Sequence, residues 1–133
     1  MNEKENCYFT VEWELHKETQ RSNKRSQNMP TKRWGHTLCS YRDYIYLYGG
    51  EQKRSYQYSS QAVYRLDVRE WGSQEWLKIV PKEGEVIPAA RDCHSANIID
   101  KRMYIIGGSK NGEKTNDIFY FDLRLNECKL CLI

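Results

Sequence analysis

Nowhere in this sequence do apolar residues run together for the roughly 18 positions that a membrane-spanning helix needs. The opening stretch MNEKENCYFT is polar and acidic with no apolar core, so no secretory signal is expected. The cysteines lack pattern: Cys7, Cys39, Cys93, Cys128 and Cys131 are an odd number without the spacing of a disulfide framework. Reduced thiols and a cytoplasmic location are expected, with the nucleus as the alternative. A net charge of +3 is too small to argue for nucleic acid from the total. Apolar residues make up only 39 % of the 133 and mean hydropathy is −0.87, so the core must be lean. The aromatics, ten of them Tyr and four Trp, raise the apolar area available per buried residue.

Patterns that carry chemistry are lacking too. GGSKNGEKTN does not have the order of a phosphate-binding loop. No Ser, His and Asp stand at a spacing that suggests a nucleophile and its base. His16, His36 and His94 could serve as metal ligands, but two of them are repeat-equivalent and would lie in separate units. Cys128 and Cys131 form a CxxC with neither a second pair at zinc spacing nor a helix start to activate a thiol. Neither metal, cofactor nor catalysis is expected.

What is present is strand periodicity. Phe9, Val11, Trp13 and Leu15 alternate with Tyr8, Thr10, Glu12 and Glu14, the period of a half-buried strand. A polar, basic stretch to Arg33 follows and reads as a loop; His16–Ser26 could form a short helix but has no apolar face to bury. Seven runs rich in β-branched and aromatic residues come next: His36–Tyr41, Tyr44–Tyr48, Ala62–Leu66, Glu75–Val80, His94–Ile99, Met103–Ile106 and Ile118–Phe121. Lys129–Ile133 is an eighth run with a weaker pattern.

These runs form two copies of one unit. Pro30, Arg33, His36, Tyr46 and Gly49 recur 58 positions later as Pro88, Arg91, His94, Tyr104 and Gly107. Asp67 recurs 55 positions later as Asp122, so the connection after the glycines is shorter in the second copy. Repeats of four short strands point to propeller blades or stacked small sheets. Gly49-Gly50 and Gly107-Gly108 close an apolar strand, where glycine permits positive φ and close approach of a neighbour. The Tyr64 and Trp76 rings are expected to lie over the space left by the missing side chains. Arg33 and Arg91 are expected to fork onto carbonyls or a carboxylate, and with His36 and His94 to hold adjacent sheets together.

The combination P-x-x-R-x-x-H, then IYLYGG or MYIIGG, then VYRLD or FYFD, then Trp76, resembles the kelch repeat from Pro30 to Asp122. Trp13 looks like the tail of a preceding repeat. The resemblance implies an all-β fold of propeller blades, each a four-stranded antiparallel sheet. About two blades and one leading strand are present, with the ring not closed within this chain. It makes Gly49, Gly50, Tyr64, Trp76, Gly107, Gly108 and Tyr120 structural. The implied layout is a last strand of a preceding blade at 1–16, a basic loop at 17–33, a first blade at 34–80, a linker at 81–92 and a second blade at 93–133. No Trp follows Asp122, so the fourth strand of the second blade departs from the pattern.

The resemblance further implies a protein-interaction module. Antiparallel strand order brings the segments His16–Arg33, Glu51–Gln61, Val80–Asp92 and Ser109–Asn116 to one end, with twelve Lys or Arg against six Asp or Glu. That excess favours an acidic protein segment as partner, met by Lys24, Arg25, Lys53, Arg54, Lys110 and Lys114 with Tyr56 and Tyr58 as ring anchors. Nucleic acid is a weaker candidate because the charge is spread over loops. Self-association or blades supplied from elsewhere are expected, since two blades cannot close a ring. Three rivals stay open: a substrate-receptor part of a ubiquitin ligase, a catalytic propeller of the oxidase or isomerase kind, and a non-functional gene fragment.

Overall fold

A computed structural model describes residues 28–51, 61–69, 75–79, 88–124 and 127–131. They form eight strands: β1 (Trp34–Tyr41), β2 (Tyr44–Glu51), β3 (Val63–Asp67), β4 (Trp76–Ile79), β5 (Ser95–Ile99), β6 (Arg102–Lys110), β7 (Glu113–Asp122) and β8 (Glu127–Cys131). None of the described residues is helical. The strands make two four-stranded antiparallel sheets, ordered β1-β2-β3-β4 and β5-β6-β7-β8. These are two propeller blades that do not close a ring. The leading strand expected within 1–16 lies outside the described residues.

Period-two alternation decides what each blade buries. On β2, Tyr46 and Tyr48 face the second blade, while Leu47 points the other way and packs with Ala62, Tyr64 and Trp76. On β6, Met103 and Ile105 face the first blade, where they meet Tyr46, Tyr48, Val63 and Ile79, with Phe121 and Leu123 completing the cluster. The back of the first blade therefore packs on the front of the second. Repeat-equivalent residues consequently have different fates: Tyr48 is 1 % exposed, but Ile106, its equivalent on the back of the second blade, is 40 % exposed. Ile99 shares that open back, and Leu38 is exposed on the front of the first blade.

β6 and β7 extend furthest beyond their sequence runs. Ser109–Asn116, expected as a loop, is mostly strand: β6 continues to Lys110, β7 starts at Glu113, and Asn111-Gly112 makes a two-residue turn with both φ positive, 54° and 81°. Asn-Gly supplies the backbone that such a hairpin needs, and a register slip between Ile106 and Gly108 carries the strands past the glycine pair. The fourth strand of the second blade exists despite the missing tryptophan. Its backbone pairs with β7 from Ile118 opposite Cys131 to Asp122 opposite Glu127, which requires no ring.

The glycine pairs are also differently used. A side chain at Gly49 would meet Arg91 O and the His94 ring at 2.5 Å, and Gly50 N donates to Arg91 O at 2.8 Å. Rather than the Tyr64 and Trp76 rings, the next blade's backbone and histidine fill the space at Gly49. Gly50 has φ +88°, and a Cβ there would lie 2.8 Å from Trp34 O; at Gly108, φ +99°, it would lie 2.6 Å from Asp92 O. Both clashes are against backbone, which cannot yield as a side-chain tip can.

Gly50→Val and Gly108→Val should each lower the thermal midpoint, at a cost of about 2–4 kcal/mol. Gly112→Asn should leave it near the parent value, because nothing lies within 4 Å of that position and Asn tolerates the left-handed conformation. A midpoint unchanged by the valines would refute the packing role.

Candidate partner-binding end

Strand order places the last residues of β2, the first of β3, the β6–β7 hairpin and the described residues before β1 and β5 at one end of the blades. Two arginines organise that end. Arg91 is 1 % exposed. Its Nη1 donates to Gly107 O at 3.0 Å, its Nε to Ala89 O at 3.2 Å, and its fork closes on Asp117, with Nη2 to Oδ2 at 3.1 Å. The guanidinium sits over Phe119, 5.2 Å from the ring centre, and holds the Asp117 carboxyl below the usual carboxylate range. Arg33 repeats part of this: Nη1 to Gly49 O at 3.0 Å, Nε to Thr31 O at 3.0 Å, and a position over the Tyr64 ring at 5.2 Å.

The joint between blades lies just beneath. His94 Nε2 stands 2.7 Å from Thr37 Oγ1 on β1, and Cys93 N donates to Gly35 O at 2.9 Å. Tyr48 sets its ring edge-on to His94 and donates its hydroxyl to Pro88 O and Ala89 O, at 3.1 and 3.2 Å. His94 Nδ1 is buried without a hydrogen-bond partner, which assigns the proton to Nε2 and makes Thr37 Oγ1 the acceptor. Burial, then the Arg91 charge, then His36 push the His94 pKa down to about 4. His36, on β1, pairs opposite Gly49, and its Nδ1 is likewise buried without a partner.

Among the residues expected to bind a partner, Lys110 and Lys114 are exposed on the β6–β7 hairpin. They are not brought together. Lys110 pairs opposite Glu113 and Lys114 opposite Ser109, so the two lysines rise from opposite faces of the hairpin. Lys24, Arg25, Lys53, Arg54, Tyr56 and Tyr58 lie outside the described residues. Among the structural positions, Trp76 is half-buried against Leu47, Ala62 and Tyr64. Phe119, not Tyr120, occupies the place of Tyr64: Tyr64 pairs opposite Leu47 and Phe119 opposite Ile105, whereas Tyr120 pairs opposite Tyr104 on the open back. Counting back from Asp67 and Asp122 marks Phe119; matching by residue type selects Tyr120.

Sequence reading missed Thr37, Tyr48 and Asp117. Only Tyr48 left a signal, as an aromatic directly before the glycine pair. The opposite end carries a repeated corner, Asp67-Val68-Arg69 and Asp122-Leu123-Arg124. Each aspartate accepts the arginine's backbone N–H at 3.0 Å as well as its guanidinium, and Arg69 holds Asp67 down at about 2. Among the described residues no three of His, Cys, Asp and Glu group as metal ligands.

Stacked four-stranded blades joined at a glycine pair define a β-propeller class of protein. The comparisons narrow it: residues 2–131 match the KLHDC2/KLHL20/DRC7 Kelch-repeats domain, and the chain belongs to the kelch-repeat family. It is 31 % identical over 96 residues to Kelch domain-containing protein 3 of Homo sapiens, covering 71 % of this chain and 23 % of that protein. It is 30 % identical over 93 residues to the Leucine-zipper-like transcriptional regulator 1 homolog of Drosophila melanogaster, covering 69 % and 9 %. Against Tip elongation aberrant protein 3 of Schizosaccharomyces pombe the figures are 29 % over 105 residues, 77 % and 9 %. The chain thus spans less than a quarter of the length of these relatives.

The buried neutral His94 makes the joint sensitive to acid. The unfolded chain binds a proton at the ordinary pKa of 6.5, the folded chain only near 4, so this stability is fully present above 6.5 and is lost as pH falls towards 4. Denaturant unfolding at pH 7.5 and 4.5 should show a loss on the order of 2–3 kcal/mol from this residue. His94→Gln, which cannot titrate, should flatten that part of the slope; an unchanged slope would place the acid sensitivity elsewhere.

Proposed function

We propose that this chain is a kelch-type protein-interaction module that binds an acidic segment of another protein through the loop end of its blades, in the cytoplasm. What supports this most is the sequence count of twelve basic and six acidic residues in the segments His16–Arg33, Glu51–Gln61, Val80–Asp92 and Ser109–Asn116, while the whole chain carries only +3. Charge at that density raises encounter rates with an acidic partner before any close contact forms. Lys110 and Lys114 widen the field rather than forming one pocket, since the hairpin holds them on opposite faces. Contacts with rings would come from Tyr56 and Tyr58.

The reversals Lys53→Glu/Arg54→Glu and Lys110→Glu/Lys114→Glu should each weaken capture of partners roughly tenfold at low salt. Reversal at the other end, Arg42→Glu/Lys101→Glu, should leave capture intact. Partners lost only with the Arg42→Glu/Lys101→Glu reversal would contradict the reading.

The module works as part of a larger assembly of blades. The open back of the second blade repeats the surface that already receives a blade within this chain: Ser95 stands where Thr37 does, Ile106 where Tyr48 does and Gly108 where Gly50 does. Another blade of the same repeat, from a longer chain or a second copy, is the occupant that fits. Sedimentation of the isolated 133-residue chain at micromolar concentration should therefore show association, reduced by Ile106→Lys. A stable monomer with one cooperative transition would count against it.

A further inference from the structure

The two repeats allow one arginine to be read against the other. Arg91 and Arg33 share three contacts: a glycine carbonyl under Nη1 at 3.0 Å, a carbonyl two residues back under Nε, and an aromatic ring 5.2 Å beneath the guanidinium. They differ in the fourth. Asp117 closes the fork of Arg91, and the equivalent position in the first blade, at the 55-residue offset of Asp67 and Asp122, is Ala62. Nothing replaces that carboxylate: no Asp or Glu bonds Arg33 in the described structure, and its Nη2 has only Thr31 Oγ1, at 3.4 Å, the long limit of a hydrogen bond. Arg91 is buried and needs its internal counter-charge. Arg33 is only half-buried, so water can serve it in the free protein.

The result is a guanidinium whose direction is set by two carbonyls and a ring, with its outer N–H groups open at the loop end. A planar fork held in place receives a carboxylate through two parallel hydrogen bonds at little further cost in side-chain entropy. We infer that Arg33 is the specific carboxylate-receiving site of this end, and that an Asp or Glu side chain of the partner segment docks there as Asp117 docks on Arg91. The inference rests on the acidic-segment reading and gives it an anchor that the spread lysines do not provide.

Ala62→Asp tests it by restoring the internal carboxylate. The whole chain, in whatever assembly it adopts, is titrated at low salt with a fluorescent Glu-rich peptide. Ala62→Asp and Arg33→Gln should each weaken binding tenfold or more, while Ala62→Asn, equal in size but uncharged, should weaken it much less. Ala62→Asp should also raise the thermal midpoint, which separates occupation of the site from unfolding. Peptide bound equally by parent and Ala62→Asp, yet lost in Lys53→Glu/Arg54→Glu, would overturn the Arg33 site and leave the acidic-segment reading standing. Equal weakening by Ala62→Asn and Ala62→Asp would assign the effect to bulk and overturn it as well. A parent that binds no peptide would overturn both readings.

Discussion

The structure depends on one close approach: the backbone of β2 at Gly49 and Gly50 against the chain entering the second blade at Arg91. The 2.8 Å bond from Gly50 N to Arg91 O leaves no space for a side chain. Once that contact forms, Tyr48 reaches the carbonyls of Pro88 and Ala89, and His94 reaches Thr37. The aromatic and aliphatic cluster closes beneath them. A backbone bond between sheets is directional, so it fixes the stagger of the blades where apolar packing alone would tolerate sliding.

Such stacking is heterologous, because the back of one blade meets the front of the next and each blade presents a different surface on either side. The same motif is thus buried in one copy and open in the other, as Tyr48 and Ile106 show. The arginines follow a different logic. They serve their own blade by bracing the glycine carbonyl, and they differ because one blade carries an aspartate where the other carries alanine. Divergence at a single position leaves, in place of an internal ion pair, a half-buried, oriented charge.

Much of the architecture could be read in advance, since both copies write the same alternation of apolar and polar residues with turn signals between. Five residue types held in one register are enough to mark equivalent strands. Reading failed where backbone pairing overrides side-chain pattern. The hairpin arms Ser109–Lys110 and Glu113–Asn116 are polar on both faces, so period two gives no signal there, and only Asn111-Gly112 marks the turn. β8 lacks a ring but pairs through its main chain. Residue type points to Tyr120, whereas register assigns the equivalent place to Phe119.

The sequence by itself determined the repeat, the all-β class and the family, because these rest on local periodicity and on glycine's freedom at positive φ. It also determined that basic residues are concentrated in the connecting segments. Tertiary structure alone decided what the glycines approach, which tyrosine is sealed and which equivalent lies bare, and that Asp117 answers Arg91 while Ala62 leaves Arg33 open. These outcomes depend on strand register and on blade-to-blade distance. Neither is encoded near the residues concerned, because both arise only when segments some 25 to 60 positions apart are pressed together.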